Sequence, residues 1–132
     1  MKVLMVEPGK TAYELEIGDS LKDIQQAVDG NIEVVYPYDE PVAIVCNEEG
    51  KNKGFPLNRA LYNEQGEIYD IVAGKFFVCG LSEENFASLS QEHMEQFKER
   101  FYDPEVFIKI NGQINAKKVT EQKQTNKNQK ER

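Results

Sequence analysis

The interval from Gly30 to Leu81 fixes most of what this chain can fold into, because short β-prone runs alternate there with clusters of turn-forming residues. Ile32–Tyr36 and Val42–Cys46 are rich in β-branched residues, and PYDEP lies between them with prolines at positions 37 and 41. Proline cannot donate to a strand ladder, so neither run continues through that segment. Asn47–Gly54 (NEEGKNKG) and Asn63–Gly66 then read as polar turns, and Pro56–Leu61 as a short strand or a single helical turn. Ile68–Val72 and Lys75–Cys79 read as two more strands, joined through Ala73 and Gly74.

The flanks follow the same logic. Lys2–Glu7 is an apolar strand, Glu7-Pro8-Gly9-Lys10 a turn, and Tyr13, Leu15 and Ile17 alternate with Glu14 and Glu16, so the first two strands form a hairpin. Ser20 is a favourable N-cap for a helix whose apolar positions are Leu21, Ile24 and Val28, and Gly30 closes it. A helix this short is marginal alone and must pack on the sheet. Ser82 is expected to cap a short helix through Glu83 and Glu84, and Ser90 a longer one with the stripe Met94, Phe97 and Phe101, ended by Asp103-Pro104. Val106, Ile108 and Ile110 alternate toward the hairpin signal Asn111-Gly112, with Gln113–Ala116 as the return strand. From Lys117 onward no apolar period survives. The expected organisation is one α+β domain over residues 1–116, a small mixed or mainly antiparallel sheet with short helices on one face, and a disordered basic tail over 117–132.

Charge divides the chain unevenly. Residues 1–115 carry 21 Asp/Glu against 10 Lys/Arg, a net −11, while residues 116–132 carry +4. An acidic body repels phosphate, so it is not expected to bind nucleic acid directly, and it suits a basic protein partner. Cys46 and Cys79 sit within the apolar runs VAIVC and FFVC and read as small core residues. No apolar run approaches the length of a membrane span and MKVLMVEPG is too short for a signal peptide, which points to a cytoplasmic protein. One histidine and two cysteines make a poor metal-ligand set, and neither a metal nor a cofactor is expected.

Within this frame the candidate binding residues are Asn58 and Arg59 of PLNRAL, Asn47, Tyr36 and Tyr38. Arginine offers a planar fork of donors suited to carboxylate or phosphate, and asparagine both a donor and an acceptor. Flanked by Leu57, Ala60 and Leu61, the pair could project from a fixed platform toward an anionic, nucleotide-like ligand. It could equally satisfy backbone carbonyls or bridge to carboxylates inside the fold. Asn47 opens NEEGK, which could meet a cation or a basic partner but lacks the ligand spacing of a calcium loop. Tyr36 and Tyr38, beside two prolines, form either an exposed aromatic patch or, in the competing reading, a core Tyr36 with Tyr38 on a loop. Glu7–Lys10 lacks the spacing of a phosphate loop, and lone His93 has no legible nucleophile or orienting partner, so no enzymatic activity is expected.

VEPGK at Val6–Lys10, IEVVYP at Ile32–Pro37, VAIVCNEEGK at Val42–Lys51, PLNRAL at Pro56–Leu61 and IYDIVAGKFFVCGL at Ile68–Leu81 together resemble an uncharacterised family of small acidic bacterial and phage proteins. The resemblance covers roughly Met1 to Leu89. It implies a setting of plasmids, conjugative elements and phages, where anti-defence proteins cluster. The expectation is a non-enzymatic binding protein of such an element, engaging a host protein through its acidic surface. The alternative is a binder of a small anionic ligand through Asn58 and Arg59.

Overall fold

A computed structural model describes residues 1–119. Strands β1 (Lys2–Val6) and β2 (Tyr13–Glu16) form the first hairpin, helix α1 (Leu21–Ala27) follows, and β3 (Ile32–Val35) pairs with β4 (Val42–Asn47). Next come β5 (Leu57–Tyr62), β6 (Ile68–Ala73), β7 (Phe76–Leu81) and the two-residue β8 (Phe86–Ala87). Helix α2 (Gln91–Arg100) precedes a last hairpin of β9 (Glu105–Ile110) and β10 (Gln113–Lys118). The main sheet has the order β2-β1-β7-β4-β3, with β8 also paired to β7. Hairpins β5–β6 and β9–β10 are separate two-stranded sheets, and every pairing is antiparallel.

The α+β class and the mainly antiparallel sheet agree with the sequence pattern. The helices do not share a face as expected; they lie on opposite faces. The central strands β1, β4 and β7 are apolar at consecutive positions, and successive side chains in a strand point to opposite faces, so both faces need cover. Val3, Met5, Ala43, Val45, Phe77 and Cys79 pack with Ile24 and Val28 from the α1 side. Leu4, Val6, Val42, Ile44, Phe76 and Val78 pack with Met94, Phe97 and Phe101 from the α2 side, joined by Leu61 of β5 and Val72 of β6.

Local signals explain most boundaries. Ser20 and Ser90 both accept the backbone N–H three residues on, as N-caps do. The expected helix after Ser82 is absent: Ser82 donates through its backbone N–H and its hydroxyl to the Asn85 carbonyl, closing a turn that returns the chain as β8. Acidic residues at a helix start suit the dipole, but this segment has no apolar stripe to dock, and Leu81 pairs with Phe86 instead. Asn111 and Gly112 both have positive φ, 51° and 82°, as the tight turn between β9 and β10 requires. That hairpin runs on to Lys118, which pairs with Glu105, so Lys117 and Lys118 belong to a strand and not to a tail. Val119 donates its backbone N–H to the Pro104 carbonyl at 2.7 Å, and the rest of the expected tail, 120–132, lies outside the described residues.

Cys46 and Cys79 are both buried free thiols, and burial pushes their pKa values up to about 11 and about 12. A thiol held protonated is a poor nucleophile. Both should label slowly with a maleimide at neutral pH in the native protein and rapidly in denaturant, read by mass spectrometry. Fast native labelling of either residue would contradict this packing.

Candidate functional site

PLNRAL forms the start of the fold's most constrained polar cluster. Leu57 is exposed at the beginning of β5, but Asn58 and Arg59 have no solvent-accessible surface. A register shift between Leu57 and Arg59 in the pairing with β6 accompanies this change of aim. Asn58 donates through Nδ2 to the Val6 carbonyl at 3.0 Å and to the Gly74 carbonyl at 2.8 Å. Gly74 has φ 82°, and a Cβ there would lie 2.6 Å from the Phe55 ring, so this turn admits only glycine without rearrangement.

The Arg59 guanidinium spreads its donors over four acceptor atoms. Nε and one terminal nitrogen donate to the Phe101 carbonyl at 3.2 and 3.0 Å, and the same terminal nitrogen donates to the Lys10 carbonyl at 2.7 Å. The other terminal nitrogen donates to the Asn58 carbonyl and to Asn58 Oδ1 at 3.3 and 2.8 Å. Phe101 caps the C-terminal end of α2, where carbonyls lack helical partners and the dipole is negative, so a cation is favoured there. Burial lowers the Arg59 pKa to about 10, opposed by the charges of Glu105 and Asp103, so the side chain stays cationic at neutral pH. Glu105 is itself buried and accepts the Ala60 N–H at 3.0 Å. Its pKa is raised by burial, against the Ala60 hydrogen bond and the charges of Arg59 and Lys118.

This geometry corrects three of the candidates. Asn58 and Arg59 present nothing to a ligand; they tie β5 to the end of β1, the β1–β2 loop, the β6–β7 turn and α2. Asn47 is buried as well: its Nδ2 donates to the Val28 carbonyl at 3.0 Å and its Oδ1 accepts the Glu49 N–H at 2.8 Å, joining the end of α1 to the turn after β4. Polar residues among apolar neighbours signalled importance in each case, but each reaches at least one backbone carbonyl distant in sequence.

Tyr36 is exposed, as the aromatic-patch reading has it and against the reading that puts it in the core, while Tyr38 lies on the β3–β4 loop but is partly buried. Tyr38 packs on the core, its ring 4.9 Å from that of Phe97, and the Arg100 guanidinium lies 4.7 Å from the Tyr38 centroid. Burial raises the Tyr38 pKa to about 12. Tyr36 is 62% exposed. It opens a surface concavity of about 570 Å³ that also takes in Tyr62 of β5, Tyr69 of β6 and Arg100, with Asp39, Glu40 and Glu64 around them. Tyr62 and Tyr69 are exposed and were not among the sequence candidates: Tyr69 falls within the expected strand Ile68–Val72, and Tyr62 falls between Pro56–Leu61 and the Asn63–Gly66 turn. Both also line a larger groove of about 850 Å³ between hairpins β5–β6 and β9–β10, with Leu57 and Ile114. Tyr36, Tyr62 and Tyr69 therefore form one continuous band. Among the described residues no group of three or more His, Cys, Asp or Glu is placed to hold a metal ion.

The buried cluster makes two measurable statements about stability. Arg59→Ala leaves four acceptors without their donor and should cost about 3–5 kcal/mol in a denaturant titration, and Asn58→Ala about 1–3 kcal/mol. For Glu105, a folded-state pKa raised above the unfolded value means stability present below the ordinary carboxylate range and lost as pH rises through the raised value. Glu105→Gln keeps an acceptor for the Ala60 N–H and removes that loss. The stability of the Gln variant relative to the parent should therefore increase from the ordinary carboxylate range upward and then level off. A pH-independent difference would contradict the burial argument.

No curated protein and no solved structure matches this chain. A family model described as Domain of unknown function (DUF3846) matches residues 1–102, which span the main sheet, both helices and the Asn58–Arg59 cluster. The chain belongs to the DUF3846 family.

Proposed function

We propose that this protein is a non-enzymatic binding protein of a mobile genetic element or phage that engages a basic host protein, acting as an anti-defence inhibitor. The observation that carries the binding reading is the band of exposed tyrosines at Tyr36, Tyr62 and Tyr69, bordered by Asp39, Glu40 and Glu64. Tyrosine supplies large amphipathic contact area at low entropic cost, and its ring faces attract lysine and arginine side chains. Burial raises the pKa of Tyr62 and Tyr69, so their phenols remain neutral donors at physiological pH. Surrounding carboxylates would draw in a basic partner and repel acidic ones. The setting on a mobile element rests on the motif resemblance, and the anti-defence role on that setting. A nucleotide-like ligand at Asn58 and Arg59 has no support, because both side chains are buried and engaged internally.

The test is affinity capture from host lysate with the parent and with a Tyr36→Ser, Tyr69→Ser double variant, each quantified by mass spectrometry. Both exposed positions should tolerate serine with little change in melting temperature. A stoichiometric basic protein should be captured by the parent, depleted at least about tenfold with the variant, and released by raised salt. Equal capture by both proteins, or capture that resists salt, would remove the tyrosine band from consideration.

A further inference from the structure

The β9–β10 hairpin is fixed to the rest of the fold at its base. β9 starts beside the buried Pro104, and after the end of β10 the Val119 N–H donates to the Pro104 carbonyl at 2.7 Å, so both strands meet the body at one point. Among the described residues neither strand pairs with another sheet. Glu105, next to that point, accepts the Ala60 N–H of β5. Beyond Glu105 no residue of the two strands is buried, Phe107 and Ala116 being half-buried, and both core clusters are complete by Phe101. The hairpin is thus a lever anchored at one end. Six residues of strand extend about 20 Å, so a turn of about 15° at the base carries the Asn111–Gly112 tip through about 5 Å.

The inner face of this lever borders a gap. Alternation puts Phe107 and Lys109 on the side of Glu105, and the register puts their partners Ala116 and Ile114 there too. Ile114 is 46% exposed and lines the groove of about 850 Å³, whose opposite wall carries Leu57, Tyr62, Ile68 and Tyr69. Leu57 and Tyr69 are 39% and 48% exposed. Apolar surface stands in water on both walls of one gap, and narrowing the gap removes it from water. Charge acts in the same sense. Residues 1–104 carry 20 Asp/Glu against nine Lys/Arg, a net −11, while residues 105–118 carry Glu105 against Lys109, Lys117 and Lys118, a net +2. Lys109 makes no ion pair among the described residues. Glu67 and Asp70 stand on the opposite wall, Asp70 with Lys51 as its partner.

We propose that the β9–β10 hairpin is a lid, pivoting at Pro104 and Glu105, that closes onto the β5–β6 groove with Ile114 against the apolar wall and covers Tyr62 and Tyr69. The structure holds its open form. As a gate on partner binding the lid rests on the tyrosine-band reading, because its closure hides two of the three tyrosines and leaves Tyr36 uncovered. The movement itself is measured without a host protein, so failure of the lid and failure of the binding reading are separate results.

Gln65, in the turn beside Gly66, and Gln113 flank the groove. Nitroxide labels on the Gln65→Cys, Gln113→Cys double variant of the full chain report the width of the gap by pulsed dipolar spectroscopy. Cys46 and Cys79 are buried and do not compete for label. Two separations should appear, the shorter from the closed lid. Ile114→Asp turns a carboxylate toward Glu67 and Asp70 and should deplete the shorter separation at least about fivefold, with an unchanged circular dichroism spectrum. Hydroxyl-radical footprinting of the unlabelled chain reads the cover directly. Ile114→Asp should raise oxidation of Tyr62 and Tyr69 at least about twofold and leave Tyr36 unchanged. Ile108→Asp puts the same charge on the outer face and should change neither readout. A single separation that Ile114→Asp leaves in place, equal oxidation of Tyr62 and Tyr69 in parent and Ile114→Asp, or an Ile108→Asp variant that matches Ile114→Asp would each overturn the proposal.

Discussion

A buried guanidinium holds the second layer of this protein to the first. Arg59 reaches the protein interior with no carboxylate within salt-bridge distance among the described residues. Its charge is instead dispersed over main-chain carbonyls and the Asn58 amide oxygen. That solution costs desolvation, which the lowered pKa records, but it reaches several separate segments at once. Hairpin β5–β6 has no strand pairing to the main sheet. Its attachment includes Leu61 and Val72 in the core, the donors of Asn58 and Arg59, the Ala60 N–H on Glu105 and the Lys51–Asp70 ion pair, and the buried polar cluster is the part that reaches several segments at once.

The position of the tyrosine band depends on that attachment. Tyr62 closes β5 three residues after Arg59, and Tyr69 lies on β6. Tyr36 and Tyr38 come from the β3–β4 connection, and Arg100 from the end of α2. The Phe101 carbonyl that Arg59 grips adjoins Arg100, whose guanidinium lies over the Tyr38 ring. One anchoring interaction beneath the surface thus fixes the relative placement of three elements whose side chains meet above it. A surface built this way can be pre-organised for a partner, which lowers the entropic cost of binding.

What was legible in the sequence follows from how local each signal is. Ser20, Ser90 and Asn111-Gly112 act on neighbours within a few residues, and the structure uses all of them as read. The consecutive apolar runs VLMV, VAIV and FFVC already imply strands covered on both faces, which is the reason the helices part company. The Asn58–Arg59 cluster was legible both as a ligand platform and as an internal pair satisfying backbone carbonyls, and the structure takes the second reading; which carbonyls it reaches was not legible. Its acceptors at Val6, Lys10 and Phe101 lie between 42 and 52 residues away along the chain, and no local pattern specifies them. The tyrosine band was half visible for the same reason, since Tyr36 and Tyr69 become neighbours only after the two hairpins have docked.

The strand order has a kinetic meaning. β7 is central in the main sheet, with β1 on one side and β4 on the other, yet it is among the later strands to leave the ribosome. Until Phe76–Leu81 emerges, the β1–β2 and β3–β4 hairpins each present an unpaired apolar edge and have no direct pairing with each other. Chains whose contacts are mostly non-local close large loops before those contacts reward them, and fold on the millisecond-to-second scale. Outside the strands of residues 1–75 acidic side chains outnumber basic ones by 10 to 5, and that excess opposes pairing between nascent chains with open edges.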